Sequence, residues 1–195
     1  MAGKLGLPPA AAHVSRQAGR RSTETLGNTG HRMTILVPMP PERFDEFAAL
    51  AIASHAADNV ASGRWLEHES EPLAEAEFRR LLPRQAATPD HHFYEIKVDP
   101  AGPVLGFVWI ASMPRGSVRV VFVLQLFVYP EHRRQGHGRA ALAQVEKLAE
   151  AMGVSAVALN VFASNSAARA LYRSSGYVVT SLSLHKPLAT RRERP

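Results

Sequence analysis

From Met33 onward the apolar residues fall into short runs and helical stripes. Residues 33–37, Met-Thr-Ile-Leu-Val, read as a first strand. Residues 41–61 then carry Phe44, Phe47, Ala48, Ala51 and Ile52 at helical spacing. Pro41 suits the first turn of that helix, with Glu42, Asp45 and Glu46 near the positive end of the helix dipole. A second helix is predicted over residues 72–82, stopped by Pro83. Strands are predicted over 92–98 and 104–111, separated by the turn at Asp99-Pro-Ala-Gly-Pro103. Residues 118–128 are nearly all apolar, as a strand buried on both faces should be. A helix starting near Gly136 places Ala141, Leu142, Val145 and Leu148 on one face. A strand at 156–161, a helix at 166–174, a break at Gly176 and a last strand at 177–185 complete the pattern. Strand, two helices, three strands, helix, strand, helix, strand is the order of an α/β domain with a mixed central β-sheet flanked by helices.

Composition narrows this picture. At 195 residues, 46% hydrophobic and 21% charged, the chain suits one globular domain. It has no cysteine, which excludes disulfides, thiolate zinc sites and cysteine nucleophiles. No run approaches the ~18 apolar residues of a spanning helix, so no membrane role and a cytoplasmic location are expected. The net charge of +6 invites a nucleic-acid reading, but residues 1–32 hold +4 of it and residues 191–194 hold +2. Residues 33–190 balance 15 basic against 15 acidic side chains, so the folded part offers little basis for a nucleic-acid footprint. Residues 1–32 lack apolar periodicity and are expected to be a disordered basic extension, with Met33 as the natural start. The domain then occupies 33–187, and 188–195 form a basic tail.

The richest chemistry lies in LFVYPEHRRQGHG, residues 126–138. A strand runs into a basic, glycine-containing turn and then into a helix. The spacing Arg133-x-x-Gly136-x-Gly138 leaves free backbone N–H groups at the positive end of the helix dipole, which together make an anion site. No Lys-Ser/Thr pair follows Gly138 and no Gly-x-Gly-x-x-Gly is present, which disfavours phosphoryl transfer and dinucleotide redox chemistry.

This loop resembles the acetyl-CoA pyrophosphate loop of the GNAT superfamily of N-acetyltransferases. The stretch LNVFASNSAARALYRSSGY, residues 159–177, resembles that family's second cofactor segment. The N-terminal half is similar to a subfamily of bacterial acetyltransferases through Asn59-Val-Ala-Ser-Gly-Arg-Trp65, Arg80-Leu-Leu-Pro83, Thr88-Pro89 and His91-His92. The resemblance spans roughly 33–187. It implies a GNAT fold whose splayed central strands hold acetyl-CoA. Backbone groups of Leu126, Phe127 and Val128 would hold the thioester and pantetheine. Arg133 and the amides of Arg134, Gln135, Gly136, His137, Gly138 and Arg139 would take the pyrophosphate, with Asn160, Asn165 and Ala168 as further cofactor contacts. Asn165 reads equally as a plain helix N-cap. Tyr172 would protonate the departing CoA thiolate, a role that suits a phenol neutral at pH 7.

The proton acceptor is where this chain departs from the family pattern. Gln125 and Asn160 stand where many members place a carboxylate, and neither accepts a proton at neutral pH. A water chain, a carboxylate or histidine from another strand, or an acceptor amine of low pKa would have to serve instead. Glu95, His91 and His92 lie in a segment that could face the cleft, though each reads more simply as a surface residue. Trp65 and Trp109 read as apolar bulk. His132 and His137 flank the loop without further ligands at metal spacing, so no metal is expected.

The resemblance thus implies an acetyl-CoA-dependent N-acetyltransferase acting by direct amine attack, on a small-molecule or peptide amine, as a monomer or homodimer. Aminoacyl-tRNA stays open as an acceptor and would need a basic face from Arg79, Arg80 and Arg84. The alternative is a non-catalytic acyl-CoA-binding module, which the two missing carboxylates favour and Tyr172 opposes.

Overall fold

The computed structural model describes residues 33–184 and 186. The expectations for residues 1–32 and 188–195 lie outside the described residues. Five strands form one sheet in the order β1 (Ile35–Pro38), β2 (His91–Lys97), β3 (Gly106–Arg115), β4 (Val118–Val128) and β5 (Val157–Leu159). The first four pair antiparallel with their neighbours, and β5 runs parallel to β4. β3 and β4 form a hairpin whose turn begins at Gly116, with φ +65° that an L side chain would resist.

Helices cover both faces. α1 (Phe44–Ala61) and α2 (Glu67–Leu81) lie on one, where Phe44, Phe47, Phe107, Trp109, Phe122 and Leu124 share a core. α3 (His137–Ala151) and α4 (Ser166–Ser174) lie on the other, packing Ala141, Leu142, Val145 and Tyr172 against Val108, Ile110, Val121, Val123 and Leu126. β4 contributes to both cores, which explains its almost unbroken apolar run.

Register along β4 is interrupted once. Trp109 opposes Gln125 while Ile110 opposes Val123, so Leu124 is an extra residue without a partner on β3. This β-bulge shifts the side-chain alternation by one position.

Three expectations are corrected. α2 begins at Glu67, five residues before Pro72, because the Leu66 N–H donates to the Glu69 carboxylate and starts the helix there. β5 is limited to Val157–Leu159, since only those residues find a ladder on β4. The last strand expected at 177–185 is absent over 177–184, and His185 is outside the described residues. Val178, Val179, Leu182 and Leu184 are 76–92% exposed there, so local β-propensity finds neither a ladder nor a surface to bury against. Among the described residues no helix is long and apolar enough to cross a membrane.

Candidate active site

Pairing between β4 and β5 ends at Val123 and Leu159, while β4 continues along β3 to Val128. A gap therefore opens beside residues 124–128. The Tyr129 N–H donates to the Leu105 oxygen, and the antiparallel alternation then makes Phe127 and Phe107 a hydrogen-bonded pair. Leu126 and Val128, opposite Val108 and Gly106, turn their backbone groups away from β3 and toward the gap. Phe127 spends its backbone groups on the ladder and its ring on Tyr129, at 5.5 Å between centroids. Of the three residues expected to hold the thioester arm, two thus present free amides.

At the end of β4 the chain turns through Pro130–His132 into the α3 N-terminus. Arg133 Nε donates to the Val128 oxygen at 2.8 Å, and its guanidinium lies over the Phe127 ring, so the loop is tied back to the strand. Arg134 and Gly136 both take left-handed φ, +63° and +89°. The result is a run of consecutive N–H groups, residues 134–139, with no acceptor among the described residues. Ala140 is the first to bond back, to the Gly136 oxygen at 3.1 Å. These donors stand at the positive end of a helix of 15 residues, a bed for a di-anionic group.

Side chains around this bed are anchored elsewhere. His137 Nδ1 lies 3.0 Å from the Thr34 hydroxyl. Burial, then neighbouring His132, holds the His137 imidazole below its usual pKa. Gln135 donates to the Glu131 oxygen at 3.1 Å, and Arg139 reaches Ser174 Oγ at 2.8 Å on α4. Gly138 packs against Leu171 so closely that a Cβ would stand 3.3 Å from its methyl carbon.

α4 supplies the other wall. Asn165 caps it, its Oδ1 accepting the Ala168 N–H at 3.0 Å, so the capping role is observed. Ala168 is wholly buried in the core behind that wall, with its N–H spent on the cap. Asn160 follows the last residue of β5, where the two strands part, and is half-buried. Tyr172, 3% exposed, packs in one cluster with Leu126 and Val128, its ring 5.8 Å from that of Tyr177. Its hydroxyl is buried and finds no hydrogen-bond partner among the described residues. Burial first, then Tyr177 and Asp58, pushes the phenol well above its ordinary pKa, so it stays protonated at any physiological pH.

Other candidates are placed differently. Glu95 is not a surface residue but 3% exposed, with Arg43 Nε 3.3 Å from one oxygen and Lys97 Nζ 3.0 Å from the other. A carboxylate held at both oxygens is a structural ion pair. His91 Nδ1 accepts the Trp109 indole N–H at 2.9 Å, and burial lowers its pKa, which keeps the ring neutral for that bond. Gln125 is 5% exposed with its amide nitrogen unpartnered, and faces the α1–α2 layer. Among the described residues no group of three or more His, Asp or Glu could hold a metal ion. Sequence reasoning missed His55 and Glu77, whose side chains meet at 2.8 Å across α1 and α2. They lie 22 residues apart, and no local spacing announces a contact made by helix packing.

The description "Acetyltransferase (GNAT) family" matches residues 58–177. The chain is 32% identical over 157 residues to the "uncharacterized N-acetyltransferase" YycN of Bacillus subtilis, a match covering 80% of this chain and 100% of YycN. It is 29% identical to the similarly described YdgE of the same organism, over 78% of this chain and 97% of YdgE. The crystal structure of YycN superposes with a TM-score of 0.76 at 30% identity, covering 80% of this chain and 99% of that one.

Proposed function

The chain belongs to the acetyltransferase (GNAT) family, and from that premise we propose that it transfers an acetyl group from acetyl-CoA to a primary amine. The observation that carries this reading is the continuity of donors. The free amides of Leu126 and Val128 lead along one strand to the unpaired N–H run at 134–139, with Tyr172 packed in one cluster with Leu126 and Val128. The loop N–H groups take the pyrophosphate, and the Leu126 amide polarises the thioester carbonyl. The amine nitrogen attacks that carbonyl carbon, the C–S bond breaks, Tyr172 gives its proton to the sulfur, and the surplus proton on the new amide nitrogen restores the phenol. With no cysteine in the chain, transfer is direct. Orientation and carbonyl polarisation together supply on the order of 10 kcal/mol.

The acceptor is a small-molecule or peptide amine. Arg79, which a nucleic-acid acceptor would need, is spent on Glu75 at 2.6 Å. A second reading, a non-catalytic acyl-CoA-binding module, is favoured by Gln125 and Asn160 standing where a carboxylate would serve as base. One experiment separates these readings. Acetyl-CoA at about 100 times its dissociation constant should stabilise the fold by about 2.7 kcal/mol. Unfolding would then shift by about 5–10 °C for a domain of this size, while ATP gives no such shift. Amine-dependent CoA release then distinguishes the enzyme from the module, and no shift at all would end both.

A further inference from the structure

α1 and α2 leave a small cavity where they cross β3 and β4, on the face of the sheet opposite Tyr172. Its volume is about 30 Å³, room for two water-sized groups. Ile52, Phe78, Leu81, Trp109 and Leu124 make its walls apolar. Three polar side chains interrupt them: His55 from α1, Glu77 from α2 and Gln125 from β4.

These three are held with care. His55 Nε2 lies 2.8 Å from Glu77 Oε2, with 14% and 23% of the two side chains exposed. Asn59, wholly buried, donates to the His55 main-chain oxygen at 2.8 Å and stands 3.3 Å from the ring nitrogens. The Trp65 ring meets the imidazole edge-on at 5.3 Å. Gln125 leaves a buried amide nitrogen with no partner among the described residues, a donor that a group entering the cavity would satisfy.

We propose that this cavity receives the acceptor as a primary amine on a narrow apolar stem, and that the His55–Glu77 pair takes the proton the ammonium must lose. The assignment rests on the acetyltransferase reading above. A terminal methylene and its nitrogen fill two water-sized places, the apolar walls suit the stem, and the Glu77 carboxylate attracts the cation. Leu124 and Gln125 lie just beyond the last β4–β5 pair, so the cavity wall and the edge of the cofactor gap are the same stretch of strand. Asp58, three residues past His55 on α1, comes close enough to Tyr172 for its charge to raise the phenol's pKa. α1 therefore spans from the proposed base to the proposed acid. The balance closes over two nitrogen protons: the ammonium gives one to the His55–Glu77 pair before attack, the C–N bond forms as C–S breaks, the sulfur takes the Tyr172 proton, and the second nitrogen proton restores the phenol.

Other charges lie close to the pair in sequence, with Arg80 one turn past Glu77 on α2. Asp58 shares α1, and Arg64 follows it, 3.3 Å from Asn59 Oδ1. Glu75 and Arg79 on α2 neutralise each other. Among the described residues the sheet contributes Gln125 and the Trp109 indole, whose N–H is spent on His91, as polar groups lining the cavity.

The test uses the full chain, acetyl-CoA and a thiol reagent, which reads released CoA alone because the protein has no cysteine. n-Butylamine and phenethylamine are compared with ethanolamine and glucosamine between about pH 6 and pH 9. The apolar amines should turn over at least ~10-fold more efficiently, the margin of one to two buried methylenes. Glu77→Gln should lower kcat by about 100-fold and leave acetyl-CoA affinity unchanged. Ile52→Trp, at a half-buried lining position, should raise KM for the apolar amines with acetyl-CoA binding intact, and serves if Glu77→Gln does not fold. An unchanged kcat in Glu77→Gln, an unchanged KM in Ile52→Trp, preference for the hydroxylated amines, or no turnover of any amine would each overturn the assignment. Failure of the wild type to bind acetyl-CoA would overturn the acetyltransferase reading itself.

Discussion

Replacing Tyr172 by phenylalanine should make the protein more stable and a worse catalyst. The ring packs in the α3–α4 core at 3% exposure, and phenylalanine retains that packing together with the contact to Tyr177 at 5.8 Å. What is lost is one hydroxyl, buried without a partner among the described residues. A buried polar group left unpaired costs about 1–3 kcal/mol, and its removal returns that amount to the ligand-free fold. At about 2–4 °C per kcal/mol for a domain of this length, Tm should rise by at least ~2 °C. Acetyl transfer should fall by about 10²–10⁴, the usual contribution of a positioned general acid. Acetyl-CoA affinity should hold, because in the proposed reading the loop amides and β4, not the phenol, carry the binding. Thermal unfolding without ligand, titration with acetyl-CoA and CoA release measure the three quantities separately. A lowered Tm would mean that the hydroxyl is satisfied in the folded chain. An unchanged rate would mean that the thiolate finds its proton elsewhere. The opposite signs make the pair of results informative, since a general packing defect lowers both quantities.

Gly136→Ala should cost about 1–2 kcal/mol, because φ +89° is a left-handed conformation that an L side chain resists although no atom lies within 4 Å of the new Cβ. It should also weaken acetyl-CoA binding in the thermal-shift assay, whereas Gly138→Ala should leave Tm nearly unchanged. There the tight approach to the end of a flexible leucine is offset by about 1 kcal/mol of helix propensity. Tyr94, Tyr129, Tyr172 and Tyr177, all the tyrosines of the chain, are pushed upward by burial first, Tyr129 to about 12. Above about pH 10 the unfolded chain releases protons that the folded chain keeps, so stability is full below that pH and falls as pH rises through the folded values. Chemical denaturation from about pH 8 to 11 should show this decline, and Tyr172→Phe should reduce its slope.

Most of the fold was legible because its signals are local. The stripe at Phe44, Phe47 and Ala51 describes a helix wherever it packs, and the apolar run at 118–128 has nowhere to be but the centre of a sheet. The N–H run at 134–139 was legible for the same reason, since a strand, a left-handed glycine and a helix start are written in consecutive residues. What sequence left hidden depends on partners. Residues 177–184 alternate like a strand, yet β-structure needs a ladder and none is offered there. Glu95 reads as a surface carboxylate until Arg43 and Lys97 close on it. The His55–Glu77 contact exists only once α1 and α2 lie side by side.

The bulge at Leu124 joins these threads, because it sets the direction of two adjacent residues at once. Without the extra residue, Leu126 would oppose Phe107, whose backbone groups are spent in hydrogen-bonded pairing. The Leu126 amide would then be consumed by β3, and its side chain would leave the α3–α4 core for the opposite face. Gln125 would turn the other way, out of the cavity shared with His55 and Glu77. One additional residue therefore turns the Leu126 amide toward the gap on one side of β4 and, on the other, points a Gln125 amide nitrogen without a partner among the described residues at the cavity. Glu95 offers no substitute as base, because it is buried with both oxygens engaged by cations and sits on β2, two strands from the gap. A proton leaving an amine beside Gln125 would meet the α1–α2 layer first, and among the described residues the ionisable side chains lining that cavity are His55 and Glu77.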